Sequence, residues 1–128
     1  MRTFDELTLD DIDALEPGVE TDWLVAQLMP TTDEEGYGLA HGVTGQPLVV
    51  HKLALGRPCG DFCPSADAND AVRVLETMDY YLAEYYHENR EWRIANCAQE
   101  QWDASFCMAV CKAFLMHKRG AADDMRQV

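Results

Sequence analysis

The stretch from Phe62 to Met78, FCPSADANDAVRVLETM, carries the strongest structural signal in the chain. Ser65 stands where a helix N-cap is expected, and Asp67 and Asp70 follow in the first turns, where the helix dipole favours carboxylates. The apolar residues after them recur at helical spacing. The pattern predicts an amphipathic helix over residues 65–89. The residues predicted to face the core are Ala68, Ala71, Val72, Leu75, Met78, Leu82 and Tyr85.

Two further elements are predicted before this helix. Residues 1–29 form an acidic, bent helical unit, in which Thr8 and Asp11 have capping-box spacing and Pro17-Gly18 interrupts the helix. Residues 37–55 form a β-hairpin, because the runs GLAHGV and PLVVHKLAL are typical of strands and are separated by the turn-forming residues TGQ. The N-terminal half is therefore expected to be helical first and extended afterwards.

The remaining elements complete a predicted α+β domain over residues 1–128. Residues 56–64 are expected to form a loop, and the alternation in EWRIANC predicts a strand over 91–97. An amphipathic helix is expected over 101–117, followed by a polar tail over 118–128. A small sheet of about three strands must then be covered by helices to bury its apolar surface, which predicts a three-layer α/β/α sandwich.

The charge of the chain limits its partners. Its 128 residues include 23 acidic and 10 basic side chains, for a formal net charge of -13, which argues against direct binding to nucleic-acid phosphates or anionic membranes. Residues 1–35 contain eleven carboxylates and one basic residue, Arg2. Two interpretations stay open: a solvated face, or a negative surface directed at a basic partner. The candidate partner-binding residues are Asp10, Asp11, Asp13, Glu16, Asp33, Glu34 and Glu35.

The sequence also predicts a cytoplasmic protein. No apolar run approaches the roughly 18 residues that a membrane-spanning helix needs, and the start MRTFDELTLDD lacks the basic and apolar regions of a secretory signal. An odd number of cysteines without an export signal predicts reduced thiols. These cysteines are Cys59, Cys63, Cys97, Cys107 and Cys111.

No motif points to catalysis or to a cofactor. The pairs Cys59/Cys63 and Cys107/Cys111 would have to meet in space to hold zinc, and their spacing is only a weak zinc signal. No local signature of a nucleophile surrounds any cysteine, and no glycine-rich phosphate loop is present. We therefore predict that the protein is not an enzyme and that it uses neither a metal nor another cofactor.

Three stretches resemble the phage ABA sandwich domain, a small three-layer α/β/α domain of proteins encoded by phages and prophages. They are EPGVETDWLVAQLM from Glu16 to Met29, the Ser65-to-Met78 part of the opening stretch, and AVCKA from Ala109 to Ala113. The chain departs from the family's pattern at Pro30, where a tryptophan is common nearby, and at Ala66, where threonine is usual. The resemblance implies the fold and an origin in a mobile element. It implies no activity, because the family has none assigned.

Three functions are compatible with these observations. The first is a binder that inhibits a basic host protein or nucleoprotein complex, such as a nucleic-acid-binding or defence protein, as acidic anti-CRISPR proteins do. The second is sequestration of a nucleotide-like ligand. The third is a structural or regulatory homodimer, to which exposed rings of the Tyr80–Tyr86 cluster would contribute. The basic residues available for the second function are Lys52, Arg57, Arg73, Arg90 and Arg93.

Overall fold

The computed structural model of the protein describes residues 2–30, 36–41, 45–52, 58–78, 81–96 and 99–126. After a short 3-10 turn at Phe4–Glu6, the helices are α1 (Leu9–Asp13), α2 (Val19–Leu28), α3 (Ala68–Glu76) and α4 (Phe106–Arg126). The strands are β1 (Gly36–His41), β2 (Pro47–Lys52), β3 (Pro58–Asp61), β4 (Leu82–Tyr86), β5 (Glu91–Ala95) and β6 (Glu100–Asp103). The predicted α+β class is confirmed.

The strands form two antiparallel sheets of three strands, whereas the sequence predicts a single sheet. Sheet A has the order β1-β2-β3 and sheet B the order β4-β5-β6. The predicted hairpin over 37–55 corresponds to β1 and β2, and residues 53–55 lie outside the described chain. Residues 58–61, predicted as part of a loop, are a strand that pairs with β2. The strand predicted over 91–97 is found as β5.

The helix predicted over 65–89 is wrong at both ends. It begins at Ala68, because Asp67 rather than Ser65 is the N-cap and accepts hydrogen bonds from the backbone N–H groups of Asn69 and Asp70. It ends at Glu76, and the following tyrosine-rich segment forms β4, which joins β5 through a four-residue turn closed by Arg90 at φ 54°. Aromatic residues favour strands, and antiparallel pairing with β5 prevails over helical periodicity here.

The boundaries predicted for the last helix and the tail are also wrong. Residues 100–103 form β6, which pairs with β5. The side-chain hydroxyl of Ser105 then accepts the N–H of Met108 at 3.2 Å, which fixes the start of α4 directly afterwards. The helix continues to Arg126 and so includes most of the residues predicted to form a polar tail.

One hydrophobic core connects both sheets and all four helices. Helix α2 packs against β1 and β2, helix α4 packs against β5 and β6, and α1, α2 and α3 all contact α4. Helix α4 therefore occupies the centre of the fold, which explains why nine successive residues, from Cys107 to Leu115, are buried. The unusual member of this run is Lys112, which is 7% exposed.

Candidate functional site

The acidic N-terminal unit places three of the candidate residues on the surface. Asp10 and Asp13 lie three residues apart on α1 and are exposed, as is Glu16 in the turn before α2. Because residues three apart share a helix face, the first two carboxylates project in a similar direction. None of the three forms a salt bridge with another residue in the described parts of the chain. Their charge is therefore available to solvent or to a partner.

Asp11, the fourth candidate in this unit, serves the fold. Its carboxylate accepts the N–H of Thr8 at 2.9 Å, and its own N–H donates to the Thr8 hydroxyl at 3.1 Å, which completes the predicted capping box. The Thr8 hydrogen bonds are the main reason that the pKa of Asp11 lies below its usual value. The carboxylate is also 3.6 Å from the guanidinium of Arg2.

Arg2, the sole base of the first 35 residues, is held by Glu20. Its guanidinium donates to the Glu20 carboxylate at 2.7 and 3.3 Å, and its backbone N–H donates at 3.2 Å. These hydrogen bonds raise the pKa of Arg2 and lower that of Glu20. Because Arg2 is used inside the unit, it does not neutralise Asp10, Asp13 or Glu16.

A groove of about 370 Å³ lies beside these carboxylates, between the end of α1 and the start of α2. Its charged lining residues are Arg2, Glu16 and Glu20, and its apolar ones include Leu15, Pro17 and Val19. Arg2 and Glu20 form the salt bridge described above. Glu16 is the lining carboxylate that forms no salt bridge with another described residue. A lysine or arginine side chain could pack its methylene stem on the apolar residues and place its charged end near Glu16, away from Arg2. The remaining candidates, Asp33, Glu34 and Glu35, lie outside the described residues.

A second set of carboxylates, Asp22 and Asp70, is buried where α2 meets the turn before α3. Asp22 of α2 is 6% exposed and accepts the N–H of Ser65 at 2.9 Å. The Ser65 hydroxyl accepts the N–H of Gly18 at 3.1 Å, and Asp70 accepts the N–H of Cys63 at 3.0 Å. These contacts bind the start of α2 to the turn before α3. Residues 16–29 and residues 62–78 therefore contact each other directly.

Asp22 is the most perturbed carboxylate of this set. Burial raises its pKa above the usual value, and the hydrogen bonds from Ser65 oppose this rise. The nearby charge of Asp70 raises it further. A buried carboxylate with a raised pKa can mark a catalytic acid, but here its oxygen is used to hold the backbone of a turn. No local pattern in the sequence indicates this role, because Asp22 and Ser65 are 43 residues apart.

The cysteines in the described chain are poor nucleophiles. Cys63, Cys107 and Cys111 are free thiols. Burial, with the neighbouring carboxylates, raises the pKa of Cys63 to about 11, so its thiol stays protonated at neutral pH. Within the described residues, no group of three or more histidine, cysteine or acidic residues is arranged to hold a metal ion. Cys97 and the side chain of Cys59 lie outside that part.

The basic residues considered for a nucleotide ligand are dispersed. Arg93 lies between Glu84, at 3.0 Å, and Glu100, at 2.6 Å. Arg73 approaches the His51 ring at 3.3 Å on sheet A. Arg57 is outside the described residues. Arg73 lies on α3 and Arg93 on β5, and each has different partners.

The comparisons with known proteins leave the family open. The chain matches no protein-family model, and no curated protein or solved structure is detectably similar to it. No helix among the described residues is long and apolar enough to cross a membrane.

Proposed function

We propose that this protein is a non-catalytic binder of phage or prophage type, which occupies the basic surface of a nucleic-acid-binding or defence protein in the bacterial cytoplasm. The observation that carries this proposal is the exposure of Asp10, Asp13 and Glu16 on one helical unit, where none of them forms an ion pair with another described residue. In this proposal the protein acts as an anti-CRISPR-like inhibitor. Asp33, Glu34 and Glu35 are included in the contact because they belong to the same acidic stretch of the sequence.

The spacing of the carboxylates supports competition with nucleic acid. Asp10 and Asp13 are separated by about 4.5 Å along the helix axis, from the 1.5 Å rise per residue. Successive phosphates on one strand of duplex DNA are about 3.4 Å apart along its axis. Like a row of phosphates, the two carboxylates present negative charge repeatedly along an axis, and a surface that binds phosphates through lysine and arginine can bind them.

The groove adds a contact that charge alone does not supply. A basic side chain of the partner would pack its stem against Pro17 and Val19 and place its charge near Glu16. Such a contact combines burial of apolar surface with charge complementarity, whereas exposed ion pairs alone contribute only about 0–1 kcal/mol each. Affinity would therefore come from the groove, and the rate of association from the surrounding carboxylates.

The test is affinity capture from a bacterial lysate with two matched triple variants. The first, Asp10→Asn/Asp13→Asn/Glu16→Gln, neutralises the proposed contact and leaves Asp11 in place. The second, Asp61→Asn/Glu76→Gln/Glu88→Gln, neutralises three exposed carboxylates elsewhere, so both variants have the same net charge. Mass spectrometry identifies the retained proteins, and duplex DNA is added as a competitor.

The proposal expects the parent and the second variant to retain a nucleic-acid-binding protein that duplex DNA releases. The first variant should lose it. Equal capture by the two variants would show that the N-terminal carboxylates are a solvated face only. Failure of the parent to retain any such protein would also contradict the proposal.

A further inference from the structure

Strand β4 combines an outer position in its sheet with exposed apolar side chains. Leu82 is 55% exposed, Tyr85 41% and Tyr86 38%. The other large hydrophobic residues exposed in the described chain, Leu9, Leu39 and Val72, lie on three separate elements. Half of this exposed apolar set therefore lies on one five-residue strand, which marks it as a surface for contact.

Among the described strands, β4 pairs only with β5, so its other edge has no strand partner there. Alternate residues of an outer strand direct their N–H and C=O groups away from the sheet, and proteins usually protect such edges with proline, lysine, bulges or a covering element. β4 contains neither proline nor lysine, and it pairs with β5 without a register shift. By contrast, β3, an outer strand of sheet A, begins with Pro58 and pairs irregularly with β2.

The face of sheet B that points away from α4 is both aromatic and acidic. Directly paired residues share a face, so Glu84 and Tyr86 of β4 lie on the same side as Arg93 and, across β5, Trp102. The Tyr86 and Trp102 rings are 4.9 Å apart. Trp92 lies on the opposite face, where it packs against Phe106 of α4.

The charges on this outer face indicate which kind of partner could bind there. Glu84, Glu91 and Glu100 share it with a single base, Arg93, which already contacts two of them. Aromatic rings beside carboxylates attract a lysine or arginine through the ring quadrupole and the negative charge together. A second copy would bring the same excess of carboxylates, and nucleic acid would bring phosphates, so charge complementarity favours a basic protein segment.

We propose that the outer edge of β4 binds an extended, basic segment of a partner protein as a fourth strand of sheet B. The segment's backbone pairs with the free edge of Leu82–Tyr86. Its alternate side chains are lysine or arginine and lie beside Glu84 and Tyr86, the residues of β4 on this face. This mode of strand addition obtains its affinity from main-chain hydrogen bonds and its specificity from alternate side chains. The surface is separate from the N-terminal carboxylates and does not depend on them.

The test uses a defined peptide and the full-length protein. The peptide alternates arginine and valine over eight residues, has blocked ends and carries a fluorophore for anisotropy titrations. Its control has the same sequence with N-methyl groups on alternate residues, which removes strand pairing and keeps the charge. The protein variants are Leu82→Lys on β4 and Leu39→Lys on β1, the outer strand of sheet A. These two variants add the same charge at exposed leucines.

Leu82→Lys should weaken peptide binding by about tenfold or more, because a like charge and a lost apolar contact act together at the edge. Leu39→Lys should bind as the parent does, and the N-methylated peptide should bind neither protein. The N-methylated peptide makes the test independent of how well Leu82→Lys folds. No measurable binding of the alternating peptide, or equal binding of the N-methylated one, would overturn the proposal. A dimer of the free protein that Leu82→Lys dissociates would also overturn it, since the occupant would then be a second copy.

Discussion

The buried carboxylate of Asp22 has two effects on stability: it accepts a hydrogen bond from Ser65, and its charge is costly to bury. Different substitutions of Asp22 separate these two effects. Alanine leaves the N–H of Ser65 without its acceptor, at a site where Ser65 is 2% exposed. An unsatisfied buried donor costs about 1–3 kcal/mol. Asparagine keeps an oxygen in the same place and removes the buried charge. At neutral pH the free energy of unfolding should therefore be lowest for Asp22→Ala, and that of Asp22→Asn should at least equal that of the parent.

The expected difference between Asp22→Asn and Asp22→Ala is about 1–3 kcal/mol. For a chain of this length, that corresponds to about 4–12 °C in Tm. Urea denaturation and thermal melts followed by circular dichroism measure both quantities. Asp13→Asn is the control, because this exposed carboxylate should leave the stability within about 0.5 kcal/mol of the parent.

The pH dependence provides the sharper test. Burial raises the pKa of Asp22 in the folded state above 3.8, so the folded parent binds a proton more tightly than the unfolded chain does. The cost of the charged carboxylate is thus fully present above the folded pKa and disappears as the pH falls through it toward 3.8. The advantage of Asp22→Asn over the parent should vanish over this range. An advantage that stays constant, or an asparagine variant as unstable as the alanine one, would refute the reasoning.

Two further predictions concern side chains inside the fold. At neutral pH, iodoacetamide should modify native Cys63 about tenfold more slowly than an ordinary thiol. Its pKa of about 11 instead of 9.0 lowers the thiolate fraction, and the greater nucleophilicity of a more basic thiolate offsets part of that loss. Peptide mass spectrometry with and without urea measures this, and equal rates would contradict it. Asp103→Asn should lower the free energy of unfolding by about 2–3 kcal/mol, because it leaves buried Lys112 without the carboxylate that lies 2.9 Å away. Adding Lys112→Met should restore most of the loss in urea denaturation, and a double variant no more stable than the single one would disprove the explanation.

The capping box of α1 is predicted correctly from the sequence. Thr8 and Asp11 are three residues apart, and the capping box that they form needs no other part of the chain. The start of α3 was harder, since Ser65 and Asp67 are both good capping residues. Ser65 does not cap the helix. Its hydroxyl and its N–H are bound by Gly18 and Asp22 of the N-terminal unit, which lie 47 and 43 residues earlier in the sequence.

The errors in the second half have the same origin. Leu82 and Tyr85 continue the helical spacing of α3, and residues 101–103 precede a helix without a break in composition. Their actual structure is decided by β5, which pairs with β4 on one side and β6 on the other. Such pairing becomes favourable only when both neighbours are present, so no window of a single strand reveals it. For the same reason, the sequence does not predict that β4 is an outer strand with an exposed edge.

The distinction between local and distant contacts also decides what the acidic charge means. Residues 1–35 contain eleven carboxylates, but these do not form one uniform surface. Some of them stabilise the fold, and others are exposed to solvent. Asp11 caps α1, Glu20 binds Arg2, and Asp22 holds the turn at Ser65. Carboxylates without such structural contacts, such as Asp10, Asp13 and Glu16, can exchange water for a partner without a loss of stability. Reversing the charge of the whole unit would therefore confuse unfolding with loss of binding, whereas variants that spare Asp11 can separate the two.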